Sequence, residues 1–301
     1  MRRTKAASVS STHSVPCVKD GLSTTLPASL EGKPPAMPEL TIDGHKLHYE
    51  IHGTGEPVIF IPGLGGAAAS WRLQLAAFSD RFRCISYDHM GMGRSSRVVK
   101  PYTVDGMADD LIALMDVLEI RAACLVGHST GGAIAQTIAC RTPERVKRLV
   151  LHATWPKTDA YLRMILSQRR ETLTKIGLEA YLRSTAFFLL PPWWFHEHMA
   201  EIEQNIHAGL AQELSPEIMA SRIDAISVFD RSADLPSLKV PTLVTAAAND
   251  IMIAPYFARQ LAALIPGAQL VILPDGAHAA HQTKPDDFNG PVLRFLTDVA
   301  R

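Results

Sequence analysis

Three side chains in this sequence have the types needed to attack a carbonyl group: Ser129, Asp250 and His278. Such chemistry needs a hydroxyl nucleophile, an imidazole that takes and returns its proton, and a carboxylate that orients the imidazole. Ser129 sits in Gly127-His128-Ser129-Thr130-Gly131, a Gly-x-Ser-x-Gly pattern between an apolar run and a stretch of small residues. The pattern predicts a strand, a sharp turn with strained backbone, and a helix, with the hydroxyl exposed at the tip. The two glycines leave room where a Cβ would meet the neighbouring strand or helix. The helix N-terminus behind Ser129 favours developing negative charge.

Asp250 and His278 each follow a predicted strand directly, as Ser129 does, so one edge of a sheet receives all three. His281 is the rival base, but it lies further into its loop. His128 adjoins Ser129 along another direction of the turn. Asp159 is the rival carboxylate, and Asp275 is too near His278 in sequence to reach across to it. Two backbone N–H groups are expected to stabilise an oxyanion: Thr130, after the nucleophile, and Leu64, in Pro62-Gly63-Leu64-Gly65-Gly66.

The elements that position these groups follow from the apolar pattern. Asp43-Gly44 predicts a hairpin between residues 40–42 and 46–51. Val58-Ile59-Phe60-Ile61 is a continuous apolar run, as in a strand buried on both faces. Strands are predicted at residues 82–87, 124–126, 148–152, 241–248 and 268–273, alternating with helices, which implies a parallel sheet covered on both sides. Thr103 caps a helix whose stripe is Val104, Met107, Leu111, Leu114, Met115 and Leu118; Asp109, Asp110 and Asp116 fall off it, as a solvated face. Gly290-Pro291 marks the start of the last helix, with Asn289 as its cap.

The alternation breaks at residues 155–234, where helical text carries Tyr161, Tyr181, Phe187, Phe188, Trp193, Trp194 and Phe195. It leaves the sheet at its ligand end after strand 6 and returns there, so a lid is expected, with Phe188, Trp193 and Trp194 as substrate-binding candidates. Arg163, Arg169, Arg170, Lys175 and Arg183 are read as solvated lid residues, with binding of a substrate carboxylate by one of them as the alternative. The expected division is an extension over residues 1–38, a core at 39–154 and 235–301, and the lid between.

Composition excludes other classes. Of 301 residues, 30 are basic and 30 acidic, so no charge excess steers toward nucleic acid or an anionic surface. No apolar run reaches the roughly 18 residues of a membrane span. Residues 1–38 have no apolar core of a signal peptide, though an organelle transit peptide is the alternative reading there. Cys17, Cys84, Cys124 and Cys140 have neither metal spacing nor a disulfide framework, which suits a reducing, cytoplasmic setting. No metal and no cofactor are expected. The expected partner is a small-molecule substrate, with the chain a monomer or homodimer.

Four motifs resemble the α/β-hydrolase superfamily over residues 39–300: Pro62 to Gly66, Asp88 to Ser95, Gly127 to Gly132, and Gly276-Ala277-His278 with Pro285 and Phe288-Asn289 behind it. The chain order Ser, Asp, His is that of the same family. Within it, Phe188 to Trp194 and Arg222 to Asp230 are similar to the enol-lactonase and aminoacrylate (carbamate) hydrolase subgroup. Three positions depart from the family pattern: Pro62 replaces a His, Met90 replaces an Arg, and Thr283-Lys284 stands where an acidic residue is common.

The resemblance implies a cofactor-independent serine hydrolase of a small carboxylic ester, lactone or related acyl or carbamoyl compound. The alternatives are hydrolysis of a carbon–carbon bond in a ring-cleavage product, cofactor-free perhydrolysis, and a ligand receptor built on the same fold.

Overall fold

The computed structural model describes residues 40–212 and 214–298. The extension expected over residues 1–38, with Cys17, lies outside them. β1 (Leu40–Ile42) and β2 (His45–Leu47) form the hairpin, with positive φ at Asp43 and Gly44, 49° and 80°. A two-residue turn between twisted strands needs that conformation.

The strand expected over residues 46–51 is broken at His48. Its N–H donates to Ser95 Oγ at 2.9 Å and its carbonyl accepts from Asp88 N–H at 2.9 Å, so both backbone groups serve a loop rather than a ladder. β3 (Tyr49–His52) therefore leaves the hairpin and pairs antiparallel with β5 (Phe82–Tyr87). The rest of the seven-stranded sheet is parallel: β4 (Glu56–Ile61), β6 (Ala123–His128), β7 (Val146–His152), β8 (Thr242–Ala247) and β9 (Gln269–Leu273), in the order β3-β5-β4-β6-β7-β8-β9. The break at His48 also makes the strand before the inserted helices the seventh in the chain rather than the sixth.

Alternate residues of each strand face different cores. Val58 and Phe60 pack with Leu75 and Phe78 of α1 (Arg72–Phe78) and with Phe288 and Val292 of α10 (Pro285–Thr297). Ile59 and Ile61 belong to the other core, with α2 (Val104–Val117), α3 (Thr130–Arg141) and α8 (Tyr256–Leu264). That double burial is why β4 is apolar throughout. Between β7 and β8 the chain builds α4 (Ala160–Glu171), α5 (Leu178–Leu189), α6 (Pro192–Ala211) and α7 (Pro216–Ser227). A short α9 (Ala280–Thr283) precedes α10.

Thr103 caps α2, its Oγ1 accepting from Gly106 N–H at 2.9 Å. Thr103→Ala is expected to cost about 1 kcal/mol, read as a lower urea midpoint with an unchanged slope. The last helix starts earlier than Gly290-Pro291 suggests: Pro285 lies in its first turn and Pro291 is inside it. Pro285 sacrifices no helical bond. Buried Phe288, Val292, Phe295 and Leu296 share one face across the Pro291 position, and their packing offsets its missing N–H.

Cys84 in β5 and Cys124 in β6 are buried strand residues, and Cys140 is half-buried in α3. Burial pushes the Cys84 and Cys124 thiols up to about 12 and half-buried Cys140 up to about 11. None is a thiolate at neutral pH. No helix among the described residues is long and apolar enough to cross a membrane.

Candidate active site

The turn between β6 and α3 holds Ser129 at φ 55° and ψ −119°. A side chain in that region costs about 1–3 kcal/mol, so its surroundings must enforce it. Ser129 N–H donates to His152 O at 2.9 Å, and Ser129 O accepts from Gly132 N–H and Thr154 Oγ1, each at 2.8 Å. The neighbouring glycines are sterically required: a Cβ on Gly127 would meet Gly131 O at 2.4 Å, and one on Gly131 would meet Ile61 O at 2.1 Å.

Asp250 and His278 meet across the ends of β8 and β9. His278 Nδ1 donates to Asp250 Oδ2 at 2.8 Å, and both side chains are buried. Asp250 Oδ1 accepts from the N–H groups of Met252 and Ile253 at 2.8 and 2.9 Å. The carboxylate is thus fixed at both oxygens, and a proton on Nδ1 leaves Nε2 as the basic nitrogen. The His278 loop is tied down in turn. Asn249 Oδ1 accepts from Ala277 N–H at 2.9 Å, and Asn249 Nδ2 donates to Asp275 at 2.6 Å. His128 Nε2 donates to His278 O at 3.0 Å, and Thr283 Oγ1 donates to Gly276 O at 2.8 Å. Thr283, one of the departures from the family pattern, has become a clasp for this turn.

The rivals are engaged elsewhere. Asp159 caps α4 through Leu162 N–H at 2.9 Å and accepts from Tyr256 OH at 2.6 Å. Asp275 accepts from Trp193 Nε1 at 2.8 Å and from Gly276 N–H at 2.6 Å. The His281 ring packs 4.6 Å from Trp71.

Ser129 and His278 line one cavity of about 260 Å³, together with Leu64 and Thr130. No hydrogen bond joins Ser129 to His278, a contact that is often loose before substrate arrives. The N–H groups of Leu64 and Thr130 carry no hydrogen bond among the described residues. Three successive carbonyls beside Leu64 are all pinned. Pro62 O accepts from His89 Nε2 at 2.9 Å, Gly63 O from Gly66 N–H at 3.1 Å, and Leu64 O from Arg222 Nε at 3.0 Å. Arg222 is fully buried and also donates to Met90 O at 3.3 Å. The arginine absent at position 90 is thus matched by a guanidinium arriving from α7.

The inserted helices supply much of the remaining lining, including Arg169, Tyr181, Leu182, Thr185 and Leu189. Phe188, Trp193 and Trp194 are not among the lining residues, contrary to the sequence expectation. Trp193 is held by Asp275 and lies under Lys284 Nζ at 4.4 Å. Trp194 stacks on His198 at 3.9 Å, and Phe188 packs 5.6 Å from the Arg169 guanidinium. Phe188 and Trp194 pack within the insertion and Trp193 ties it to the core, whereas Tyr181 and Trp155 reach the cavity. Arg169 also corrects the expectation of a solvated side chain, being only 4% exposed.

Four histidines crowd behind the nucleophile. The rings of His128 and His281 are 4.4 Å apart, and those of His128 and His278 4.7 Å. Burial lowers His152 to about 3 and holds His128 and His281 well below the ordinary imidazole value, so these three are neutral at pH 7. Ligand nitrogens of His128, His152 and His281 lie within 4.8 Å of one another, the set among the described residues that could hold a metal ion. Sequence reading missed it because the three come from separate elements, the ends of β6 and β7 and the short α9. Zinc at about 2.0–2.1 Å would require ligand nitrogens near 3.4 Å apart, so the rings would close in around an ion.

A family model described as the alpha/beta hydrolase fold matches residues 56–175. A protein of Azorhizobium caulinodans, provisionally named carbamate hydrolase RutD, is 36% identical over 253 residues, covering 84% of this chain and 96% of the relative. The chain belongs to the α/β-hydrolase family. Among solved structures, this α/β-hydrolase is similar to the enol-lactonase from Burkholderia xenovorans LB400, with TM-score 0.81, 28% identity and 87% and 100% of the two chains covered. A hydrolase from Pseudomonas aeruginosa PA01 gives TM-score 0.78 and 30% identity, covering 86% and 97%. The chain is thus similar to enol-lactonase and RutD hydrolases, and it is an enzyme acting on carbonyl bonds.

Proposed function

We propose that this α/β-hydrolase cleaves a small carboxylic ester, lactone or carbamoyl compound through an acyl-enzyme on Ser129. The observation that carries the reading is the Asp250–His278 pair, 2.8 Å apart, on the cavity that Ser129 lines. Relatives named for carbamate and enol-lactone hydrolysis support the substrate range.

Ser129 Oγ attacks the carbonyl carbon while His278 Nε2 takes its proton. Asp250 holds the imidazole in the tautomer with Nδ1 protonated and stabilises the imidazolium that forms. The oxygen becoming anionic is received by the unpaired N–H groups of Leu64 and Thr130. Collapse expels the leaving group, which takes the proton from His278. A water, deprotonated by the same nitrogen, then attacks the acyl carbonyl, and collapse of that second intermediate restores Ser129 and frees the acid. Apart from that water and the substrate, every reacting group named is a side chain or backbone amide of this chain. Residues 155–234 act as a lid, because α4 to α7 supply cavity lining opposite the sheet ends.

The test is turnover of short aryl esters, lactones and carbamates, with labelling by a fluorophosphonate located by peptide mass. The expected result is multiple turnover and a single phosphonylated serine at position 129. A folded protein with no turnover and no label on Ser129 would overturn the reading. Asp250→Asn should lose about 10⁴ in kcat by misorienting His278. Asp159→Ala should lower stability through its lost cap while keeping most of the rate; the reverse pattern would move the carboxylate role to Asp159.

A further inference from the structure

The loop that carries His278 does not hold its own shape. Gly276 has φ 114° and Ala277 φ 54°. A non-glycine residue in the left-handed region persists only where its surroundings enforce it. Part of that enforcement comes from the sheet side, where Asn249 Oδ1 accepts from Ala277 N–H and His128 Nε2 donates to His278 O. The inserted helices supply the rest. α5 ends at Leu189, whose carbonyl accepts from Ala279 N–H at 3.0 Å. Trp193, in the first turn of α6, donates from Nε1 to Asp275 Oδ2 at 2.8 Å. These two contacts bracket the base, since Asp275 precedes His278 and Ala279 follows it directly.

Asp275 relays the indole contact inward. Its Oδ1 accepts from Asn249 Nδ2 and Gly276 N–H, each at 2.6 Å. Asn249 in turn holds Ala277 and adjoins Asp250, the carboxylate paired with His278. Trp193, Asp275, Asn249 and Ala277 are all absent from the cavity lining, so none of them acts by touching substrate. Leu189 does line the cavity, so the helix that faces the substrate is also the one that holds Ala279. The base is effective only when its Nε2 comes within about 2.6–3.2 Å of the proton it takes, and small displacements of the loop therefore cost rate.

We infer that the inserted helices set the catalytic base: Trp193 is a positioning residue that acts on His278 through Asp275 and Asn249, and proton transfer requires the corner between α5 and α6 to be seated on the His278 loop. This rests on the hydrolase reading above and deepens it, adding a control on the base exerted from outside the cavity.

Two variants cut the same bond from opposite sides. Trp193→Phe removes the N–H and keeps a ring for Lys284, whose Nζ lies 4.4 Å from the Trp193 ring centroid. Asp275→Asn keeps one oxygen for Asn249 and Gly276 and turns an NH2 group toward the indole N–H. Circular dichroism confirms folding, and kinetics are run on one aryl ester well below the melting temperature of each protein. Each variant should lose about 5–30-fold in kcat. KM should stay within about twofold of wild type, because acylation and deacylation both pass through His278 Nε2 and slow together. The double variant should be no slower than either single one, since the same contact is broken in all three. Unchanged kcat, a loss confined to KM, or losses that multiply in the double variant would overturn the inference while leaving the hydrolase reading intact. The low-field proton resonance of His278 Nδ1–H, held by Asp250, gives a readout independent of turnover. It should broaden or vanish in Trp193→Phe through faster exchange with water, and that change supports the inference even if Ser129 proves inert. The same signal in both proteins, or none in either, counts against it.

Discussion

Ser129→Ala is expected to lower kcat by about 10⁵-fold or more while leaving the far-ultraviolet spectrum and melting temperature near those of wild type. The size follows from what is removed. Without Oγ there is no nucleophile for the imidazole to activate, and a water must attack unaided. Residual catalysis of about 10³–10⁴ over water should survive, because the Leu64 and Thr130 amides and the pocket remain. The fold should survive because the Ser129 turn is enforced by backbone contacts. Its N–H reaches His152 O, and Thr154 and Gly132 reach its carbonyl. Alanine must therefore adopt the same φ of 55° and carry the same strain. Ser129→Gly separates the two effects. It should be as inactive as Ser129→Ala and at least as stable, since glycine relieves about 1–3 kcal/mol of strain at some cost in unfolded-state entropy. Kinetics on one ester and two urea titrations decide it; an active Ser129→Gly would place the nucleophile elsewhere.

The catalytic candidates were legible because each is written into local chain chemistry. A Gly-x-Ser-x-Gly turn betrays itself by the collisions that forbid a Cβ at Gly127 and Gly131. Asp250 and His278 each end an apolar run, and a parallel sheet gathers strand ends at one edge. The double-sided burial of β4 follows from its unbroken apolar text. What stayed hidden depends on contacts between residues distant in sequence. The break at His48 is decided by Ser95 and Asp88, some forty residues away, and nothing in Lys46 to Ile51 announces it. The insertion misled for the same reason. Trp193 and Trp194 look like pocket residues by type, but Asp275, Lys284 and His198 claim their faces. Arg169 looks like its solvated neighbour Arg170, and only the fold of α4 against α5 separates the two, burying Arg169 beside Tyr181.

Arg222→Met should have the second large effect, on stability and rate together. The guanidinium is fully buried, donating to Leu64 O at 3.0 Å and Met90 O at 3.3 Å with Tyr102 beneath it at 5.4 Å. Methionine fills part of the volume but answers neither carbonyl. Two buried acceptors would be left unsatisfied, each costing about 1–3 kcal/mol, so a total loss of about 3–5 kcal/mol is expected. For a domain of this size that lowers the melting temperature by about 10 °C. The rate should fall as well, because Leu64 O fixes the far side of the residue whose amide faces the cavity, while Gly63 O, in the same peptide as that amide, and Pro62 O keep their partners Gly66 and His89. Loss of one oxyanion donor costs about 10²–10³ in kcat, and partial misplacement should cost about 10–100-fold. That loss should appear in kcat rather than KM, since an oxyanion donor acts on charge that develops after binding. Arg222→Lys keeps the charge and restores one bond, so it should recover stability before rate. If folded Arg222→Met kept wild-type kcat at a temperature well below its melting point, the loop would be held without α7, and Arg222 would serve packing alone.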